Sequence, residues 1–186
     1  MTGWLPGMKP KTDRTDHDGA GDCWGTPPLW LDAIEAAAGE AIDLDPCCAP
    51  WSPVWHRAAH RLNLEAGDNG LAQRWPGSGL VFCNPPYSDV GPWLRRCRDA
   101  ARAGRPVVAL VPTRPETQAW ASYVLGAGAW LVQQTGRIRF VGADGRTHGN
   151  GMVTTCLVVW DGALARRLRD ALAERGVRSF VLRVEV

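Results

Sequence analysis

The sequence lacks the two features that would place it at a membrane. No apolar run is long enough to cross a bilayer, and the first residues do not form the apolar core of a signal peptide. We therefore expect a cytoplasmic protein without a membrane partner. The net charge of +2 is small for 186 residues, so any contact with a polyanion has to come from local basic patches.

No C-x-x-C pair occurs among the six cysteines, two of which, Cys47 and Cys48, are adjacent. This spacing suits neither a zinc site nor a disulfide framework, so we expect reduced, mostly buried thiols and no bound metal. The sequence also has no G-x-G-x-x-G, the glycine pattern that grips a pyrophosphate. A dinucleotide-binding domain is therefore disfavoured.

The chain is long enough for one domain and too short for two. Residues 1–21 contain basic residues, glycine and proline without apolar periodicity, which predicts a disordered tail or a basic arm that touches phosphate. We place a single folded domain at residues 22–186.

Apolar runs alternate with helical patterns along most of this domain. Strands are predicted at 41–46, 80–83, 106–111, 129–132 and 177–186, and helices follow 26–28 and lie at 93–101, 116–125 and 164–174. This order predicts an α/β fold with right-handed parallel crossovers. The alternating residues 136–140 and a strand at 152–160, joined by a glycine-rich turn, predict a β-hairpin at one end of the sheet.

The tetrad Asn84-Pro85-Pro86-Tyr87 follows the buried strand at 80–83. The prolines stop the strand because they cannot donate backbone hydrogen bonds, so Asn84 is expected at the carboxyl edge of the sheet, where α/β proteins bind ligands. The Asn84 side chain and the proline carbonyls offer fixed acceptors, and Tyr87 offers a flat ring. Two acceptors beside a stacking face suit an amino group on a conjugated ring, whose nitrogen they hold and activate by electrostatic preorganisation.

An ordered series of residues accompanies the tetrad. In chain order it consists of Asp22, Trp24, Thr26, Pro27, Leu44, Asp45, Pro46, Ala49, Asp68, Gly70, Leu71, Trp75, the tetrad, Trp93, Leu110, Pro112, Thr117, Trp120, Gly136, Arg137, Ile138 and Phe140. The series resembles the phage-type DNA N6-adenine methyltransferases, whose catalytic motif is Asn/Asp-Pro-Pro-Tyr and whose cofactor is S-adenosylmethionine. The resemblance implies a Rossmann-like methyltransferase fold, mostly parallel, with double-stranded DNA as substrate. The short stretch between Pro46 and Leu80 leaves little room for full strand and helix pairs, so we expect an abbreviated first half.

The resemblance also implies which residues bind the cofactor: Thr26, Pro27, Asp43, Asp45, Pro46 and Asp68. Asp43 and Asp45 are candidates because the end of the first strand would hold the methionine part of the cofactor, whose ammonium group needs a carboxylate. Asp68 would lie near the cofactor's adenine. Taken without the resemblance, the same segments are typical of a capped helix, an Asx turn and an Asp-Asn-Gly turn.

Three arginines and one aromatic residue are candidates for DNA contact. Arg57 lies in a segment where basic and aromatic residues interleave, which is typical either of a polynucleotide-binding loop or of a plain surface segment. Arg146 lies in the predicted hairpin tip and Arg137 in the arm before it, and such a tip suits a groove or a solvated turn. Phe140 is a second candidate for gripping the target base.

The sequence therefore predicts transfer of a methyl group to the N6 atom of a DNA adenine. Asn84 and the Pro85 carbonyl would hold the amino group, Pro86 would fix the turn, and Tyr87 would stack on a base flipped out of the duplex. Two alternatives stay open, namely a methyltransferase that acts on RNA or on protein glutamine, and an inactive nucleic-acid-binding accessory protein of a phage.

Overall fold

The computed structural model describes residues 24–147 and 153–183 of the chain. Its strands are β1 (Leu44–Cys48), β2 (His60–Asn63), β3 (Val81–Cys83), β4 (Val107–Pro112), β5 (Trp130–Gln134), β6 (Thr155–Val159) and β7 (Ser179–Arg183). Its helices are α1 (Pro28–Ala38), α2 (Gly91–Arg102), α3 (Gln118–Trp120), which continues as a π-helical turn (Ala121–Leu125), and α4 (Gly162–Glu174); a 3₁₀ turn spans Leu64–Ala66. None of these helices has the length and apolar character needed to span a membrane.

All seven strands form one sheet in the order β2-β1-β3-β4-β6-β5-β7. The first four are parallel to one another, β6 is antiparallel to both β4 and β5, and β7 is antiparallel to β5. The predicted α/β fold with parallel core strands is confirmed, and the C-terminal part of the sheet is antiparallel. The carboxyl ends of β1, β2 and β3 lie side by side at one edge, and this edge carries the candidate site.

Two apolar cores cover the two faces of the sheet. One packs α1 and α4 against one face, through residues such as Leu31, Ile34 and Leu168, and the other packs α2 and α3 against the opposite face, through Trp93 and Trp120. Because parallel strands are buried on both sides, β4 is apolar along its whole length, as its sequence predicted.

The first half of the sheet is abbreviated. Residues 49–80, all of which the structure describes, contain only the short edge strand β2 and the 3₁₀ turn, with no helix against the sheet. A loop that contains Trp51 replaces the missing helix and lies over the carboxyl end of β1. The site is therefore covered by loop residues on this side.

The hairpin has different arms from those predicted. β6 pairs with β5 at Trp130–Gln134, whereas residues 136–140 form no strand. Ile138 and Phe140 alternate with exposed residues because they pack into the core beside α1, so their pattern reflects burial without a strand ladder. Residues 148–151 of the predicted glycine-rich turn at 142–151 lie outside the described residues, as does the predicted tail at 1–21.

Candidate functional site

Asn84 directly follows β3, as the two prolines predicted, and its side chain has one fixed orientation. Its Nδ2 donates to the backbone carbonyl of Trp24 at 2.5 Å. Because a carbonyl only accepts hydrogen bonds, the amide nitrogen has to face Trp24 and Oδ1 has to face the other way. Oδ1 is buried and has no partner among the described residues. An acceptor in this position can take a hydrogen bond from a bound ligand.

Asn84 lines a pocket of about 140 Å³ at the carboxyl edge of the sheet. The pocket is lined by Trp24, Thr26, Asp45, Cys47, Cys48, Ala49, Trp51, Ser52, Val54, Glu65, Phe82, Asn84 and Pro86. Its walls therefore come from the segment before α1, from β1 and the loop after it, from the 3₁₀ turn after β2, and from the tetrad. Asn84 and the carboxyl end of β1, which the sequence predicted to lie close together, line the same cavity.

Asp45 contributes a carboxylate to the pocket, although it is only 3% exposed. Burial raises the pKa of Asp45 to about 6, against partial compensation by the Cys47 backbone N–H, which donates to Oδ1 at 3.0 Å. No cationic side chain of the described residues pairs with it. A buried carboxylate without a counter-ion costs free energy, and a cationic ligand removes that cost.

Two further polar groups line the pocket. Thr26 is buried, and its Oγ1 has no partner among the residues described here. Glu65 follows β2 and accepts a hydrogen bond at 2.9 Å from the Trp51 indole N–H. The pocket thus combines two hydroxyl residues, two carboxylates, two tryptophans and the Asn84 amide, a set that suits a polar, cationic ligand with an aromatic part.

The structure brings only part of the tetrad to the pocket. Asn84 and Pro86 line it, whereas Pro85 is buried and Tyr87 is 8% exposed. The Tyr87 ring meets the edge of Phe140 at a centroid distance of 6.2 Å, and its hydroxyl is buried without a described partner. Both rings are buried in packing, which argues against the predicted stacking of either one on a base. The Phe140 ring also packs against the Trp24 ring at a centroid distance of 5.9 Å.

Asp43 lies away from the site. β1 begins after Asp43, so this carboxylate is at the amino edge of the sheet, where it bonds to Arg105 at 3.1 Å, His60 at 3.0 Å and the Gly79 N–H at 2.8 Å. Burial acts to raise the pKa of Asp43, but these three partners outweigh it and lower the pKa. The prediction that Asp43 binds the cofactor is corrected. Its bonds link the beginnings of β1, β2, β3 and β4, at the edge of the sheet opposite the pocket.

The remaining predicted cofactor residues surround the pocket without lining it. Pro46 sits inside β1 at an irregularity in the pairing, and its carbonyl packs so closely against Gly70 that a Cβ there would overlap it. Asp68 accepts from the Asn63 N–H at 2.8 Å and fixes the turn after β2. Pro27 precedes α1, and its carbonyl accepts from the first turn of that helix. These residues support the walls of the site.

The three arginines fall into two groups. Arg57 binds two carboxylates of α1, Asp32 at 2.6 Å and Glu35 at 2.9 Å, so its guanidinium ties the loop after β1 to that helix. This use argues against the predicted DNA contact. Arg137 and Arg146 are exposed, and they flank Val141, which bridges to Gly25 next to the pocket. They lie on the segment that pairs with Gly25, which stands between the pocket-lining residues Trp24 and Thr26.

No cysteine in the pocket is a good nucleophile. Burial, with a smaller contribution from the Asp45 carboxylate, raises the pKa of the Cys47 thiol to about 12, so the group is protonated at neutral pH. Within residues 24–147 and 153–183, no group of three or more His, Cys, Asp or Glu side chains is arranged to hold a metal ion.

Trp51 and Glu65 are among the pocket side chains that sequence reasoning did not assign to cofactor binding. The signal for Glu65 was its position after a strand, but β2 is short, polar and largely exposed, and so does not resemble a buried strand. Trp51 lies in an irregular loop with no periodicity.

Comparison with known proteins gives one family. A family description, DNA N-6-adenine-methyltransferase (Dam), matches residues 13–179, which is most of the chain. No curated protein matches the sequence.

Proposed function

Because the chain belongs to the DNA N-6-adenine-methyltransferase (Dam) family and is therefore an S-adenosylmethionine-dependent methyltransferase, we propose that its pocket beside Asn84 is the site of transfer to adenine N6. The observation that carries the proposal is the pairing of two groups in one cavity. The buried Oδ1 of Asn84 lacks a donor, and the buried carboxylate of Asp45 lacks a cation among the described residues. The substrate amino group donates the hydrogen bond that Asn84 Oδ1 lacks, and the cationic cofactor supplies the positive charge that Asp45 lacks.

The pocket residues fit the cofactor by charge and by hydrogen bonding. Asp45 pairs with a positive group of the cofactor, Thr26 offers its unpartnered hydroxyl, and Glu65 accepts hydrogen bonds from hydroxyl groups. The indole of Trp51 supplies a flat face at the same rim. When bound, S-adenosylmethionine supplies an electrophilic methyl group on a sulfonium.

Asn84 performs the central step on the substrate side. Its Oδ1 accepts one hydrogen of the adenine amino group, and the Pro85 carbonyl accepts the other. Two acceptors draw the planar amino nitrogen towards tetrahedral geometry and localise its lone pair for attack. No strong general base is needed, since the nitrogen loses its proton only after it has become cationic. Positioning and preorganised hydrogen bonds account for the rate.

The substrate is double-stranded DNA from which the target adenine is flipped out. A stacked and paired adenine hides its amino group, so the base has to leave the helix to reach an acceptor buried at the sheet edge. Pro86 and Trp24 line the space that the base enters. Arg137 and Arg146 contact phosphate near the mouth, which holds the duplex in register.

The test is a methyl-transfer assay with labelled S-adenosylmethionine that offers duplex DNA, RNA and a glutamine-containing peptide side by side. We expect label on DNA only, recovered as N6-methyladenine after digestion to nucleosides. Label on RNA or on glutamine would instead support the alternative substrates. For base flipping, adenine opposite a mismatched base should be methylated at lower DNA concentration, because less pairing free energy is lost.

An equal response to paired and mismatched adenine would argue against flipping. An absence of both cofactor binding and transfer would favour an inactive nucleic-acid-binding protein.

A further inference from the structure

Trp24 lies before α1 and is 60 positions from Asn84 in sequence, yet its carbonyl holds the Asn84 amide. We propose that the segment 24–26 is a positioning element that orients Asn84 and makes an amide, rather than a carboxylate, obligatory at this position. The inference rests on the proposed function of Asn84 as the acceptor for the adenine amino group.

The segment is held in place from two sides. Gly25 and Val141 exchange both backbone hydrogen bonds at 2.8 Å, which fixes the Trp24 carbonyl relative to the chain at Val141. A Cβ on Gly25 would lie 2.9 Å from the Val141 carbonyl and 2.9 Å from the Pro53 ring. The Trp24 ring packs against Phe140. The carbonyl therefore cannot turn away to suit a different side chain at position 84.

Because the Trp24 carbonyl is fixed and only accepts hydrogen bonds, the side chain at position 84 has to donate one to it. An aspartate side chain at position 84 would have the shape of asparagine, but its ionised carboxylate would place an oxygen against the Trp24 oxygen at hydrogen-bond distance. Repulsion and burial both disfavour the ionised form and raise the pKa of that carboxyl group. Once protonated, the carboxyl can donate to Trp24 and present its other oxygen to the substrate. The family motif that this tetrad resembles has either Asn or Asp at its first position, but in this chain only Asn would work at neutral pH.

The test is the pH dependence of the variant Asn84→Asp. Its kcat is measured at saturating cofactor and DNA from about pH 6 to pH 8.5 and divided by the wild-type kcat at each pH, so that effects of Asp45 on both proteins cancel. We expect the ratio to rise about tenfold or more as the pH falls, because the protonated fraction of a carboxyl group changes by about tenfold for each pH unit above its pKa. Asn69→Asp is the matched control, because its side-chain oxygen accepts from the Leu71 and Ala72 N–H groups and an aspartate can do the same.

Thermal melting of ligand-free protein gives a second reading that does not require activity. The melting temperature of Asn84→Asp should fall below that of the wild type at pH 8.5, and the gap should narrow as the pH approaches 6. The gap for Asn69→Asp should not change with pH. If Asn84→Asp is inactive at every pH, the pH dependence of this difference in melting temperature alone tests the positioning role.

A variant that matches the wild type at pH 8.5, or whose kcat ratio and melting gap do not respond to pH, would overturn the positioning role. Failure of the proposed function has a different signature, since Asn84→Ala would then retain methyl transfer.

Discussion

Replacing Asp45 by asparagine should stabilise the ligand-free protein and weaken cofactor binding. Burial raises the pKa of Asp45 from 3.8 to about 6, and each pH unit corresponds to about 1.4 kcal/mol. The charged carboxylate therefore costs the folded protein up to about 3 kcal/mol above pH 6. Asparagine keeps the carbonyl that accepts from the Cys47 N–H but carries no charge. We expect a net gain of about 1–3 kcal/mol, since part of it is offset by the new amide hydrogens.

The pH dependence of this gain follows from the direction of the pKa change. Because the folded protein holds the Asp45 proton more tightly than the unfolded chain does, wild-type stability falls as the pH rises from about 4 to about 6. The stability of Asp45→Asn does not fall in this way, because asparagine does not titrate. The two proteins should therefore melt together near pH 4 and separate above pH 6, by roughly 2–4 °C for each kcal/mol in a chain of this size.

Cofactor binding should change in the opposite direction. Loss of a charge-assisted contact costs about 1.5–3 kcal/mol, so Asp45→Asn should raise the Kd for S-adenosylmethionine by about 10-fold to 150-fold at pH 8. Calorimetry and melting with and without cofactor measure both effects. Asp161→Asn is the control, because Asp161 caps α4 and asparagine caps equally well. If Asp45→Asn melts lower without ligand and binds the cofactor normally, Asp45 is a structural residue and the reasoning is refuted.

Three further predictions follow from the contacts of other residues. Arg57→Ala should lower stability by about 1 kcal/mol, as for a partly exposed ion pair, and leave the salt dependence of DNA binding unchanged; a smaller salt slope would show that Arg57 contacts phosphate. The double variant Arg137→Gln and Arg146→Gln should weaken DNA binding and reduce the salt slope by about 2, since each lost phosphate contact contributes about 0.9; an unchanged slope would place the DNA elsewhere. Tyr87→Phe should keep full transfer activity and at least the wild-type melting temperature, because the Tyr87 hydroxyl is buried without a described partner; loss of kcat without loss of stability would give that hydroxyl a role in the reaction.

The position of Asn84 was predictable because local chemistry determines it. An apolar run stopped by two prolines ends a strand at one residue, whatever the rest of the fold does. The buried β4 was predictable for the same reason. The orientation of Asn84 was not, because it depends on the carbonyl of Trp24, which is distant in sequence and is brought close by the pairing of Gly25 with Val141.

Alternating patterns led to wrong predictions at two places. The pattern around Asp43 and Asp45 predicted one strand end, but the strand starts after Asp43 and passes through Pro46 to Cys48, so the two carboxylates lie at different levels of the sheet. The pattern at 136–140 predicted a strand, but its buried residues pack under α1 without a ladder. Spacing records which residues are buried, and only tertiary contacts show what buries them.

The accessibility of Tyr87 was equally beyond local reasoning. A ring in a tetrad is either open for stacking or closed by packing, and the neighbour that closes it, Phe140, comes from a distant loop.

The central claim is that the Asn84 side chain acts on the substrate amino group and does not hold the fold or the cofactor. Asn84→Ala, compared with the wild type, tests it through one paired measurement of S-adenosylmethionine affinity and methyl transfer to DNA. We predict a Kd for the cofactor within about threefold of the wild type and a loss of transfer of about 100-fold or more, as when a preorganised hydrogen-bonding group is removed. Equal loss of binding and transfer, or retained transfer, would contradict the claim.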